Sequence, residues 1–306
     1  MKKRIIFIVG PTASRKTVVA VYLAKKFNGE IISCDSMQVY RCMDILTSKP
    51  APSLRRNIPH HLISEISPEK PYNVSQYRAQ AIKKVKEILK KGKTPLFVGG
   101  TGLYMSIVID GIFKTKAENE KIRLSLYRQA ERFGSGHLYQ RLKQVDPDAA
   151  SKIHPNDAKR IIRALEVIEV TGRPISQLQK ERKGLGDAYD INIFCLDMER
   201  DKLYQRIDER VEKMFKKGLL EEVRKLLKLR LSRTASCAIG IKELKGYFDG
   251  AYDLEEAKRL IKRSTRLYAK RQLTWFRKDK RIQWITIGVK ETAANIADRV
   301  LKELKK

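Results

Sequence analysis

Gly10-Pro11-Thr12-Ala13-Ser14-Arg15-Lys16-Thr17 stands between the apolar run Ile5-Ile6-Phe7-Ile8-Val9 and a helix-like stretch over 18–27. A strand, a glycine-led loop and a helix in that order form the setting in which a Walker A sequence wraps a phosphate. Loop N–H groups and the helix N-terminus face the anion, Lys16 reaches its oxygens, and the Thr17 hydroxyl is placed to hold Mg²⁺. An ordinary Gly/Pro turn is the competing reading, and the preceding strand together with the Lys16-Thr17 pair argues against it. One position departs from the pattern: Arg15 stands where glycine is usual. Glycine lets the backbone curl closely around the anion, and a side chain at positive φ costs about 1–2 kcal/mol. The Arg15 guanidinium either adds an anion contact or fills the pocket. In the second case, Arg15→Gly raises turnover.

The chain has 306 residues, long enough for a sizeable core and two lobes. No run approaches the ~20 apolar residues that span a bilayer, and the basic N-terminus leads only into a short strand, so neither a membrane segment nor a signal peptide is expected. Cys34, Cys42, Cys195 and Cys237 lack C-x-x-C spacing. This argues against a zinc site or a disulfide framework and for a reducing cytoplasm. Lys and Arg number 65 against 35 Asp and Glu, a net charge of +30. Such an excess points to a polyanion partner, nucleic acid first, beside the plainer reading of a lysine-rich surface.

Strands Arg4–Val9, Glu30–Cys34 and Thr94–Val98 alternate with helices over 17–27, 75–91 and 102–109, the signature of a parallel α/β sheet. Residues 41–74, rich in Pro and Ser, read as irregular connection. From about 113 to 188 strand signals vanish and helices over 119–133, 137–144 and 156–171 take over, the last capped at Asn156-Asp157. The α/β pattern resumes with strand Asp190–Leu196, helices 200–216 and 218–229, and a late strand Ile282–Ile287. The expected fold is therefore α/β: a P-loop-type parallel sheet core over 1–112 and 190–306, with an inserted all-helical lobe over 113–189. A helix over 253–277, projected at about 100° per residue, gathers Arg259, Lys262, Arg263, Arg266, Lys270 and Arg277 on one face. Ala257, Ile261, Tyr268 and Trp275 fall opposite as a core stripe. The basic face reads as a phosphodiester-facing surface.

Further stretches resemble the tRNA dimethylallyltransferases (tRNA isopentenyltransferases). They are Asp35-Ser36-Met37-Gln38-Val39-Tyr40, Pro59-His60-His61-Leu62, Gly99-Gly100-Thr101-Gly102-Leu103-Tyr104, Ile153-His154-Pro155-Asn156-Asp157 running to Arg160 and Ala164-Leu165-Glu166, Ala238-Ile239-Gly240 with Lys242-Glu243, and Ala269-Lys270-Arg271-Gln272-Leu273-Thr274-Trp275. The matches run in order over essentially the whole chain, in the compact bacterial form without a zinc-finger extension. The resemblance implies transfer of a dimethylallyl group from dimethylallyl diphosphate to N6 of the adenosine just 3′ of the anticodon, with release of diphosphate. It implies Asp35 as general base, Thr101 as the residue that positions the amine, and residues 10–17 as the diphosphate cradle with Mg²⁺ at Thr17. It further implies tRNA contacts from Asp35, Ser36, Met37, Gln38, Thr101, Arg123, Arg160, Arg163, Gly240 and Lys242. The expected partners are the tRNA anticodon stem-loop and the prenyl donor, in a cytoplasmic monomer.

Plainer roles stand beside these. A cap or an Mg²⁺ ligand is the lesser reading of Asp35 and a tight turn that of Thr101, while a solvated helix face explains any one of the arginines about as well. Cys42 and Leu46 replace glycines of the family, and Cys237 and Ile241 replace its Gln and Tyr. Loss of the Tyr removes a stacking contact to the anticodon loop. A P-loop small-molecule kinase and a catalytically impaired tRNA-binding relic are the alternatives.

Overall fold

The structure, a computed structural model, describes residues 2–113, 119–288 and 290–304. The chain divides into two compact units, Met1–Ile109 with Ala188–Lys306, and Asp110–Asp187.

The first unit is built on β1 (Arg4–Val9), α1 (Lys16–Lys26), β2 (Gly29–Ser33), α2 (Pro52–Asn57), β3 (His60–His61), α3 (Val74–Lys90), β4 (Thr94–Gly99) and α4 (Gly102–Ile109). A six-stranded sheet of order β3-β2-β4-β1-β5-β6 results once β5 (Asp190–Asp197) and β6 (Ile282–Thr286) are added, and every pairing is parallel. β1 is central, pairing Phe7 with Phe97 on one side and with Ile193 on the other. Its residues Ile5 to Val9 are all buried, as an unbroken apolar strand must be when helices cover both faces of a parallel sheet. Phe7 and Phe97 stack at 4.5 Å. The reading of 41–74 as irregular is corrected here: the segment contains α2 and β3, both too short to carry a period.

The second unit follows as α5 (Glu120–Val145), α6 (Pro147–Ala150), α7 (Ala158–Thr171) and α8 (Ile175–Lys180), with a 3₁₀ turn at Leu185–Asp187. α5 breaks its helical geometry at Gly134 (φ 80°, ψ 159°), which separates the stretches expected as 119–133 and 137–144. Asp157, rather than Asn156, caps α7 by accepting from the Arg160 N–H at 3.2 Å. The unit has its own core, in which Leu126, Leu138 and Leu142 meet Ile161, Ile162 and Leu165.

Back in the first unit, α9 (Arg200–Lys216), α10 (Leu219–Leu226), α11 (Ile241–Phe248), α12 (Leu254–Phe276) and α13 (Ala293–Glu303) complete the fold. α13 was not anticipated, yet its Ile296, Ala297 and Val300 share a core with Val19, Ala20, Leu23 and Ala24 of α1 and Ile6 and Ile8 of β1. The projected faces of α12 are partly corrected. Its buried stripe is Ala257, Ile261, Ala269, Gln272 and Phe276, with Trp275 exposed. Lys262 pairs with Glu212 at 2.5 Å, Arg266 with Asp208, and Arg259 with Glu256 at 2.6 Å. Half of the basic face is therefore neutralised within the protein, while Arg263, Lys270 and Arg277 remain exposed.

Candidate active site

The loops after β1, β2 and β4 open at the carboxyl edge of the sheet, where parallel α/β proteins place their ligands. In the first of them, Gly10 (φ 141°) passes against β5, and a Cβ there would lie 2.4 Å from the Leu196 carbonyl oxygen. Ser14 is fully buried and donates from Oγ to the Pro11 carbonyl at 2.8 Å. Arg15 is left-handed (φ 61°, ψ 11°) at the N-cap of α1. Its guanidinium donates through Nη1 to the Glu291 carbonyl, in the connection between β6 and α13. The side chain lines the cavity described below, tethered to that carbonyl.

One cavity of about 1150 Å³ joins this loop to Asp35. The volume sits at or above the upper end of the roughly 300–1,000 Å³ usual for small-molecule sites. Thr12 to Thr17, Asp35 to Gln38, Asp44 to Pro52, Gly99 and Gly100 line it together with α9 and α12. Nine Lys and Arg side chains face three carboxylates in its wall, an anion-attracting interior. Burial pushes the Lys16 ammonium down to about 8, with the Arg210 charge adding to the fall and Asp35 opposing it. From α9, Arg206 donates to the Ala13 carbonyl at 3.1 Å and Arg210 to Ser48 Oγ at 3.0 Å. Burial lowers both guanidinium pKa values, but guanidinium remains charged in proteins. These two arginines, an i and i+4 pair on one helix face, were missed in the sequence. Their spacing was the available signal.

Asp35 holds a tight turn of its own. Its Oδ1 accepts from the N–H of Met37 at 2.9 Å and of Gln38 at 3.4 Å, so Oδ2 is the oxygen left for other work. Gln38 is braced by Ser33 Oγ at 3.2 Å and by the Thr47 carbonyl at 3.4 Å. Thr101 lies one layer back, outside the cavity lining. Its Oγ1 accepts from the Ser36 N–H at 3.1 Å, and it lies beside Tyr268, which does line the cavity. Burial, the largest effect, and Asp35 raise the Tyr268 pKa, so the phenol stays protonated. Thr101 thus supports the backbone of Ser36, the residue next to Asp35.

The residues flanking the cavity have definite partners too. The Glu222 carboxylate accepts from the N–H groups of Asp44 at 3.0 Å, Ile45 at 2.8 Å and Leu46 at 2.8 Å, fixing the loop that carries the departures Cys42 and Leu46. Cys42 is left-handed (φ 60°) and exposed, where a glycine would be unstrained. Leu46 is buried against Gly240 (φ 108°), whose Cβ would fall 2.6 Å from Leu46 Cδ1. Ile241 is 4 % exposed, so the side chain at that position packs in the core and offers no stacking surface. Cys237 and Lys242 are exposed. His61 donates through Nε2 to the buried Glu30 carboxylate at 2.8 Å, and His60 donates through Nδ1 to the Ile58 carbonyl at 2.7 Å; both support the loop.

In the helical unit, Arg123 and Arg163 converge on Glu166, which is fully buried. Burial alone would raise that carboxyl, but hydrogen bonds from Arg163, Arg123 and the Asn119 N–H outweigh it and hold the pKa below the usual value. Arg160 is exposed and pairs with Asp157 at 3.3 Å.

Comparison with known proteins agrees with this architecture. The family described as IPP transferase matches residues 38–279. The chain is 48 % identical to the tRNA dimethylallyltransferase of Carboxydothermus hydrogenoformans over 99 % of its own length and 98 % of that protein. It is 46 % identical to the one of Geobacter sulfurreducens over 93 % and 92 %. Among solved structures, the full-length tRNA isopentenylpyrophosphate transferase of Bacillus halodurans superposes with TM-score 0.72 at 39 % identity, covering 100 % of this chain and 97 % of that one. A eukaryotic dimethylallyltransferase acting on tRNA superposes with TM-score 0.83 at 29 % identity, covering 98 % and 78 %. A full-length match to such relatives, on a parallel sheet whose phosphate loop and Asp35 share one basic cavity, makes this chain a member of the IPP transferase family.

Proposed function

We propose that the protein transfers a dimethylallyl group from dimethylallyl diphosphate to N6 of the adenosine 3′-adjacent to the anticodon in tRNA, releasing diphosphate. The observation that carries this reading is the single cavity in which residues 12–17 and Asp35 face one another. The phosphate loop, Lys16, Arg206 and Arg210 bind the diphosphate and neutralise the charge that grows on the bridging oxygen as the carbon–oxygen bond breaks. The adenine amine is a poor nucleophile because its lone pair is delocalised into the ring. Asp35, through Oδ2, takes a proton from that nitrogen as the new carbon–nitrogen bond forms. Thr101 positions the amine and, by accepting from the Ser36 N–H, helps to keep the Asp35 turn in place. An unstacked base from a single-stranded loop enters such a cavity at low cost.

Thr17 offers one hard oxygen beside the phosphate loop, which fits Mg²⁺, an ion that keeps waters and takes substrate phosphates in place of a carboxylate cage. When bound there, the ion supplies positive charge against the diphosphate. The anticodon stem-loop is met by Ser36, Met37, Gln38, Gly240 and Lys242, and by the helical unit through Arg123, Arg160 and Arg163. The charges of Lys242 and the three arginines, and the positions of all eight on stretches that resemble the family's tRNA-contacting motifs, support this role. A cytoplasmic monomer is the setting; no helix among the described residues is long and apolar enough to cross a membrane. The kinase alternative is not favoured, because the relatives that match over the full length are prenyl transferases by name.

Incubation with labelled dimethylallyl diphosphate and an anticodon stem-loop RNA tests the reading. Labelled RNA with a stoichiometric release of diphosphate is expected. Phosphoryl transfer from ATP, or RNA binding with no prenyl product, would overturn it.

A further inference from the structure

α12 presents Ile261, Thr265, Tyr268 and Gln272 to the cavity at spacings of four, three and four residues, one face of a helix. Gln272 is 6 % exposed and its amide is used at both ends. Oε1 accepts from the Thr12 N–H at 2.9 Å, and Nε2 donates to the Gly100 carbonyl at 2.9 Å. The amide orientation follows from chemistry, since a backbone N–H can only donate and a carbonyl can only accept. Gly100 is shaped to it: a Cβ there would stand 2.0 Å from Nε2.

These bonds connect two loops with different tasks. Thr12 belongs to the diphosphate cradle. Gly100 leads into Thr101, whose N–H donates to the Cys34 carbonyl at 3.1 Å and whose hydroxyl accepts from Ser36, the residue after Asp35. A single planar amide thereby sets the spacing between the donor side and the acceptor side. Building on the prenyl-transfer reading, we infer that Gln272 is a positioning residue that registers the diphosphate loop against the Asp35 loop. Glutamate in its place would set a carboxylate oxygen against the Gly100 carbonyl and add an anion beside the diphosphate site. Leucine would leave a buried N–H and a buried C=O without partners.

The test uses the full chain carrying Gln272→Leu, Gln272→Glu or Gly100→Ala, the last displacing the amide from the opposite side. Three readouts are taken: calorimetric affinity for inorganic diphosphate, stem-loop affinity, and single-turnover prenyl transfer at saturating substrates. A small misplacement of reacting groups costs about 10²-fold. All three variants are therefore expected to slow single turnover by about 10- to 100-fold and to weaken diphosphate by about 3- to 10-fold, with stem-loop affinity within about twofold of wild type. Circular dichroism melts select the variants that fold. Single turnover within twofold of wild type in any folded variant overturns the inference. So does a loss of stem-loop affinity as large as the loss of rate, since that marks a general structural role. If the wild-type chain makes no prenyl product, the functional reading fails by itself. The diphosphate arm then decides the inference about Gln272: weakening supports it and unchanged affinity overturns it.

Discussion

Arg15→Gly separates two views of the altered phosphate loop. The left-handed backbone at Arg15 (φ 61°, ψ 11°) costs an arginine about 1 kcal/mol that glycine does not incur. Against this gain stands the guanidinium bond to the Glu291 carbonyl. A charged hydrogen bond contributes about 1.5–3 kcal/mol when buried, and the partial exposure of Arg15 reduces it toward the lower end. The two nearly cancel, so the melting temperature should move by no more than a few degrees. The anion feels the change more. One guanidinium charge in the cavity wall contributes on the order of 1 kcal/mol to anion binding at an effective dielectric of about 20 once salt screening is included. Arg15→Gly should thus weaken diphosphate binding by about 3- to 10-fold and leave turnover unchanged or lower. Arg15→Ala should weaken binding equally while keeping the backbone strain, and melt below Arg15→Gly. The assay is calorimetry with inorganic diphosphate, paired with prenyl transfer to stem-loop RNA. Tighter diphosphate and faster turnover in Arg15→Gly would show that the guanidinium obstructs the loop and would refute the argument from its Glu291 tether.

Two further outcomes are expected. Asp35→Asn keeps an oxygen acceptor for the Met37 and Gln38 N–H groups, whereas Asp35→Ala loses the turn as well. Both should slow prenyl transfer by about 10²–10⁴-fold with stem-loop affinity spared in the Asn variant, and an Asn variant within tenfold of wild type would remove Asp35 as the base. Lys16 carries its full charge only below its pKa of about 8. Affinity for dimethylallyl diphosphate, followed from pH 6.5 to 9.5, should therefore hold in the lower range and fall as pH rises past about 8. Lys16→Arg, which does not titrate there, should flatten that fall, and persistence of the same profile in the Arg variant would assign it elsewhere.

What could be read from the amino acids depended on whether the relevant physics was local. β1, α1 and the phosphate loop were legible because an apolar run, a glycine and a Lys-Thr pair are contiguous. α7 was legible through its cap and its period. The basic face of α12 was misjudged for the opposite reason: the carboxylates that neutralise Lys262 and Arg266 sit on α9, more than forty residues earlier in the chain. The convergence of Arg123 and Arg163 on Glu166 was not legible, because nothing local reveals that this carboxylate is buried between them. Gln272 stood in a stretch that resembles the family, with nothing to mark it out from its neighbours. A glutamine in mid-helix is unremarkable in sequence, and its importance exists only once Thr12 and Gly100, 260 and 172 residues away, reach either end of its amide. Glu222 is the same case, since three N–H groups on a distant loop converge on one carboxylate. The phosphate loop and the Asp35 turn were therefore visible as motifs, while the parts that hold them at a fixed distance were not. A tertiary hydrogen bond leaves no periodicity behind, so the residues that align donor and acceptor have to be sought where a buried side-chain amide or carboxylate is fully bonded to backbone from two loops.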